Sequence, residues 1–205
     1  MLRQSCATAP LRSRLHILGR FLSCPFLPTV GKTPPGAAIL DVGAGHGVLA
    51  RLAVAQGARR VVALEPDVRK LGGALRHPAV HWVAGYDACI QGGFDVVTLC
   101  DVLYRIPLDD RDALLGRLFD RLKPGGLLVL KEIDPDHRLK FAWNVIQEFV
   151  AIRVLRLTLG AGLAYEDRRD IGRRLENAGF VSVTAEDISA GYPHAHILYT
   201  ARRPE

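Results

Sequence analysis

Residues 39–47 read ILDVGAGHG: an apolar run, an Asp, then three glycines at alternate positions. The run is too short for a helix, and Gly43, Gly45 and Gly47 end any strand, so the stretch reads as a buried strand turning into a tight loop. The next stretches of chain keep the rhythm. GVLARLAVAQGA reads as a helix stopped near Gly57, RVVALEPD as a second strand ended by Pro66, and VRKLGGALR as a helix weakened by Gly72 and Gly73. VHWVAGYDA is a third strand, FDVVTLCDVL a fourth, RDALLGRLFDRL a helix, and GGLLVLKEID a fifth strand introduced by the turn KPGG. YEDRRDIGRRLENAGF is an amphipathic helix, and VSVTAEDI and HAHILYTARR are two strands joined by SAGYP, close enough to pair antiparallel. Short apolar strands alternating with helices predict an α/β, doubly wound, mostly parallel sheet covered on both faces.

A glycine loop after a strand binds a nucleotide, and charge decides which. The dinucleotide fingerprint wants G-x-G-x-x-G, but Val48 stands at the third glycine's place. Asp41 ends the first strand, close to where a pyrophosphate would lie, and a carboxylate there repels a diphosphate. It suits a ligand with an ammonium and a sulfonium. Glu65 ends the second strand, where a carboxylate accepts ribose hydroxyls in either kind of site, and Asp87 after the third could accept an adenine amine. Three acids at strand carboxyl ends, with no phosphate-binding Lys or Arg in the loops, favour a cationic adenosyl ligand.

The stretches ILDVGAGHG, VVALEPD, GYDA, FDVVTLCDVLYRIP and LKPGGLLVLKEID, in this order, closely resemble the motifs of class I (Rossmann-like) S-adenosylmethionine-dependent methyltransferases, nearest to the bacterial small-molecule type. The resemblance covers about residues 38–134 and 164–203. It implies a seven-stranded sheet with an antiparallel last strand, and S-adenosylmethionine as methyl donor. It implies that Asp41, Gly43, Ala44, Gly45 and Gly47 surround the methionine part of the donor. Glu65 with Pro66 would serve the ribose, Asp87 with Ala88 the adenine, and Cys100 with Asp101 the wall beside the methyl. Relatives with the DVL stretch often carry two histidines next; here Tyr104 and Arg105 stand there.

Methyl transfer from a sulfonium needs alignment and exclusion of water more than it needs a catalytic dyad. A base is required only where the acceptor must lose a proton. Candidates near the strand carboxyl ends are Glu132, His194, Asp101 and Tyr104; each has a plainer alternative, Glu132 as an organiser of a loop and Tyr104 as an aromatic wall. No Asn/Asp-Pro-Pro-Tyr loop follows the fourth strand, which disfavours amino methylation of nucleobases, and no nucleic-acid partner is expected. The competing readings are a catalytically inactive methyltransferase-like binding module and, further off, an NAD-dependent oxidoreductase.

Charge marks off the start of the chain. Residues 1–40 hold Arg3, Arg12, Arg14, Arg20 and Lys32 and no acid, whereas the remainder carries 22 basic and 21 acidic residues. We read 1–36 as a basic, helical arm, with Leu15, Leu18 and Leu22 at helical spacing packing on the domain, and 37–205 as a methyltransferase domain with a helical insertion after the fifth strand, at about 136–162. That insertion is apolar nearly all round, flanked by Arg138, Lys140, Arg153 and Arg156. It reads as a lid packed on the N-terminal arm, enclosing a cavity for an apolar, aromatic or lipid-like small-molecule acceptor, with peripheral membrane contact through the arm and residues 138–159 as the alternative. No run of about 18 apolar residues free of charge occurs, so no spanning helix is expected. The cysteines at 6, 24, 89 and 100 form no C-x-x-C pair and fit reduced thiols in a cytoplasmic compartment, with no metal site.

Overall fold

The computed structural model describes residues 11–72, 74–85, 90–137, 140–141 and 164–205. In chain order these form α1 (Leu11–Ser23), α2 (Phe26–Val30), β1 (Ala38–Val42), α3 (Val48–Ala55), β2 (Arg60–Glu65), α4 (Val68–Leu71), β3 (Val80–Ala84) and β4 (Phe94–Cys100). A single 3-10 turn at Leu103–Arg105 precedes α5 (Leu108–Arg121), β5 (Leu122–Ile133), α6 (Arg168–Asn177), β6 (Val181–Asp187) and β7 (His196–Arg202).

The seven strands make one sheet in the order β3-β2-β1-β4-β5-β7-β6. β1 pairs in parallel with β2 and β4, β2 with β3, and β4 with β5, while β7 runs antiparallel to both β5 and β6. The expected fold, antiparallel last strand included, is the observed one. β1 is buried along its whole length and β2 along all but its first residue, as strands covered by helices on both faces must be. One apolar cluster lies under α1, α2 and α3, built on Ile17, Phe26, Ile39, Leu49, Val61 and Leu198. The other lies under α5 and α6, built on Leu40, Phe94, Leu99, Leu115, Leu128 and Leu175.

Two departures have local causes. The helix expected over VRKLGGALR stops at Leu71, since Gly72 comes next and an interior glycine costs about 1 kcal/mol against Ala. The turn KPGG is absorbed into β5: Phe94 pairs with Leu122 and Val96 with Leu127, so residues 123–126 bulge out, with Gly125 at φ +69°. Of the inserted segment only residues 136–137 and 140–141 fall within the described structure; 138–139 and 142–162 lie outside it.

Candidate active site

The crossover places the ends of β1 and β4 side by side, with β2 and β5 beyond them, and the site residues gather along this edge. Gly43, Gly45 and Gly47 all have positive φ, 72°, 60° and 81°, a left-handed region that costs other residues about 1–2 kcal/mol. Space adds to the demand at two of them. A Cβ at Gly43 would overlap the Val102 side chain, and one at Gly47 would lie 2.6 Å from the Trp82 ring; at Gly45 nothing stands within 4 Å. The loop is pinned by the Gly43 and Ala44 amides donating to the Leu64 carbonyl, and by the Gly45 amide donating to Glu65 Oε2 at 2.7 Å. Glu65 Oε1 accepts the Asp67 amide at 2.9 Å, and Lys70 Nζ lies 3.6 Å from the same oxygen.

Asp41 is 2% exposed. Thr98 donates its hydroxyl to Oδ1 at 2.8 Å, while Oδ2 is buried with no hydrogen-bond partner. Burial, with Glu65 nearby adding repulsion, pushes the Asp41 carboxyl up to about 6 despite the bond from Thr98. A buried carboxylate oxygen without a donor is an incomplete site that a cationic or N–H-bearing ligand would complete. The ammonium end of S-adenosylmethionine meets that need; a diphosphate would worsen it.

Past β4 the chain turns sharply. Asp101 has φ +58°, a strained value for a residue other than glycine. Two consecutive residues of β5, pointing to opposite faces of the sheet, hold this turn from both sides. Lys131, fully buried, donates to both oxygens of Asp101 at 2.7 Å; Glu132 accepts the amides of Val102 at 3.1 Å, Leu103 at 2.7 Å and Tyr104 at 3.4 Å. Arg20 of α1 reaches Asp101 Oδ2 at 2.5 Å and His196 Nε2 of β7 lies 3.4 Å from Oδ1. Burial alone would raise the Asp101 carboxyl, but Lys131 and Arg20 outweigh it and hold it well below the usual range. Burial and then Lys131 bring His196 down to about 4, so it is neutral near pH 7. Burial and then the Asp101 charge push Glu132 up to about 7. Burial raises the Cys100 thiol well above its ordinary value, so it is no thiolate.

Cys24 Sγ, an Asp101 oxygen and a His196 nitrogen lie within 4.8 Å of one another, a ligand-like triple. The Lys131 ammonium and the Arg20 guanidinium already occupy that carboxylate and would repel a cation.

An aromatic wall stands beside the turn. Tyr104 stacks on Tyr165 with centroids 5.2 Å apart, and Phe141 meets Tyr165 edge-on at 4.8 Å. Arg105 donates to the Tyr104 hydroxyl at 2.7 Å. The segment carrying Tyr165 is tied down by the Ala164 amide on the Tyr104 carbonyl at 2.8 Å and by the buried Arg111, which pairs with Glu166. On the other side α1 lies against the site: His16 approaches the His46 ring of the glycine loop with centroids 5.2 Å apart, and Ile17 is 1% exposed.

The structure therefore brings Asp41, Gly43, Ala44, Gly45, Gly47, Glu65 and Pro66 to one loop pair, and Cys100, Asp101, Tyr104 and Glu132 to the neighbouring turn. His194 is buried just before β7, its ring 6.0 Å from that of His196. Asp87 and Ala88 lie outside the described residues. Sequence reasoning did not single out Arg20, Thr98, Lys131 or His196 as parts of the site. A Lys inside the apolar strand LLVLKEI was the one visible signal, because a lysine is almost never fully buried without a partner.

Comparison with known proteins agrees with this geometry. The chain matches the Methyltransferase domain family over residues 15–185, most of its length. A ribosomal protein L11 methyltransferase of Pelobacter propionicus is 35% identical over 103 residues, 47% of this chain but 32% of the relative, so the chain spans about a third of that protein's length. Among solved structures, the S-adenosylmethionine-dependent methyltransferase SibL is similar with a TM-score of 0.69 at 21% identity, over 94% of this chain and 57% of that one. The 1,6-didemethyltoxoflavin-N1-methyltransferase of Burkholderia thailandensis is similar with a TM-score of 0.62 at 18% identity, over 96% and 92%. With the family matched along most of its length and the strand order in place, the chain belongs to the methyltransferase domain family, as a class I, S-adenosylmethionine-dependent member.

Proposed function

We propose that this protein transfers the methyl group of S-adenosylmethionine to a small acceptor of apolar, aromatic or lipid-like character. The observation that carries the donor half is the buried, partnerless Oδ2 of Asp41 at the mouth of a three-glycine loop. When bound, the donor supplies a methyl carbon activated by the adjoining sulfonium. Asp41 takes the donor's ammonium end, directly or through a water. Glu65, poised by two backbone amides, takes the ribose, with Asp87 and Ala88 on the adenine side. The turn at Cys100–Asp101 forms the wall beside the methyl, its backbone set by Lys131 and Glu132. The acceptor half rests on the aromatic cluster of Tyr104, Tyr165 and Phe141 beside this turn, of which Tyr104 is buried and Tyr165 and Phe141 are half-buried. One structure of the same fold, the 1,6-didemethyltoxoflavin-N1-methyltransferase, binds 1,6-didemethyltoxoflavin together with S-adenosylhomocysteine, in keeping with a small-molecule acceptor. Where the acceptor is a hydroxyl or a carbon acid, its proton must leave, and Glu132 and His194 are the groups within this edge that could take it.

Calorimetric titration with S-adenosylmethionine, S-adenosylhomocysteine and NAD tests this. The first two bind, NAD is silent, and Asp41→Asn and Glu65→Ala each weaken donor binding by tenfold or more, about the 1.5–3 kcal/mol of a charge-assisted hydrogen bond. Because the ligand needs ionised Asp41, binding also weakens as pH falls below about 6 and releases protons near that pH. Binding of NAD, or no binding of either donor form, refutes the reading.

A further inference from the structure

The first helix bridges the two halves of the donor site. His16 and Arg20 lie one turn apart on the same face of α1. His16 meets the His46 ring of the glycine loop with centroids 5.2 Å apart, and Arg20 reaches Asp101 Oδ2 in the turn after β4 at 2.5 Å. With α1 in this position the site is shut. Asp41 and Glu65 are each 2% exposed and Asp101 is 5% exposed, so an adenosyl ligand reaches them only if something above them moves. The fastening of α1 is light. Among its described side chains Ile17 is the one that is buried; Leu15, Leu18 and Leu22, which helical spacing alone would turn inward, are exposed. α2 is anchored differently: Phe26, Thr29 and Val30 are buried, and Pro25, which cannot continue a helix, stands between the two. An element with few buried apolar contacts opens more readily than one embedded in the core. α1 can therefore swing from its C-terminal end while α2 stays in place.

We propose that α1 is a strap over the donor site and that Arg20 is its latch on Asp101, a positioning residue through which S-adenosylmethionine is admitted and held. The proposal rests on the donor reading above. The charges around Asp101 suit a bond that must break and re-form. Lys131 donates to both Asp101 oxygens at 2.7 Å, so the carboxylate keeps a buried cation when Arg20 leaves. Losing the sole partner of a buried charge is what makes such pairs costly to open, and Lys131 removes that cost. The Arg20 side chain is 32% exposed, already in reach of water, so its guanidinium is rehydrated as it lets go. Lys70 Nζ, 3.6 Å from Glu65 Oε1, also stands over the site, but α4, which carries it, is four residues long and touches one half of it. Closing α1 re-forms the contacts to the glycine loop and to the turn after β4 together, which shields the methionine end and the methyl of the donor in one movement.

The test is surface plasmon resonance on the immobilised full chain, with S-adenosylhomocysteine as the probe. In Arg20→Gln the association and dissociation rates should both rise about threefold or more, as expected for loss of a part-exposed charge pair, while Kd, their ratio, moves less. A residue that only contacts the bound donor, or only supports the fold, would not speed association. Raising salt should quicken both rates in wild type and act less on Arg20→Gln, because a part-exposed pair is screened. The wild-type salt response reads the latch even where the variant folds poorly. Unchanged rates in Arg20→Gln, faster dissociation with unaltered association, or wild-type rates indifferent to salt each overturn the latch and leave the donor reading standing. No binding of S-adenosylhomocysteine to wild type overturns both.

Discussion

Lys131→Met makes the sharpest test of how the turn after β4 is held. The substitution keeps the volume of the side chain but removes its charge, leaving the Asp101 carboxylate buried at 5% exposure. Breaking a buried ion pair by removing one partner costs about 3–5 kcal/mol, because the survivor stays desolvated and uncompensated. Here Arg20 remains on Oδ2 at 2.5 Å, and it is about a third exposed, so the cost should sit near the lower bound, about 3 kcal/mol. Removing both charges in Lys131→Met/Asp101→Asn should cost less than the single change, since Asn keeps the shape and tolerates the left-handed backbone. The pH dependence carries a second signature. Lys131 is, after burial, the main cause holding His196 down at about 4. Without it the His196 value rises from about 4, while burial and Arg20 still hold it down, and its protonated ring, 3.4 Å from Asp101, can replace the lost cation in acid. The penalty of Lys131→Met should therefore shrink between about pH 7.5 and about pH 4.5. Urea unfolding of wild type, single and double variants at both values reads all three effects. A single-variant cost below about 1 kcal/mol, or one unchanged by pH, would refute the buried-pair argument.

The same geometry sets other outcomes. Glu132 is raised from 4.5 to about 7, so its contribution to stability is complete below about pH 4.5 and is lost as pH rises through 7, a difference of about 3 kcal/mol. Glu132→Gln keeps an oxygen for the Val102 and Leu103 amides and should flatten the stability profile over that window; an unchanged slope would show that another group causes it. Gly47→Ala meets both a left-handed φ and the Trp82 ring and should cost about 3 kcal/mol in unfolding experiments. Gly45→Ala meets open space and should cost only the backbone term, about 1–2 kcal/mol, and equal costs at the two positions would sink this explanation.

The donor half of the site was legible in the sequence because its parts are local. A strand, an acid at its end and a glycine loop occupy residues 39–47, and Glu65 stands at the end of the next strand; alternating βα units force such strands side by side. The glycines could be read individually, since only glycine accepts φ near +70° without cost. The hairpin of β6 and β7 was legible for the same reason, its turn lying between its own strands. Glu132 was visible as an acid at the right end of the sheet, but not its three amide partners, which depend on how the turn after β4 folds back.

What only the tertiary structure decided is the surroundings of Asp101 and the facing of α1. Arg20, Asp101, Lys131 and His196 come from a helix, a turn and two strands, separated by tens of residues, and meet only because β4, β5 and β7 lie side by side with α1 above them. Periodicity finds the leucine stripe of α1 but assigns it inward, by the rule that apolar faces seek the core. The structure turns it outward: Arg20 reaches the buried Asp101 and Ile17 the core, while the leucines stay exposed, and the side of a helix that docks is set by what it meets.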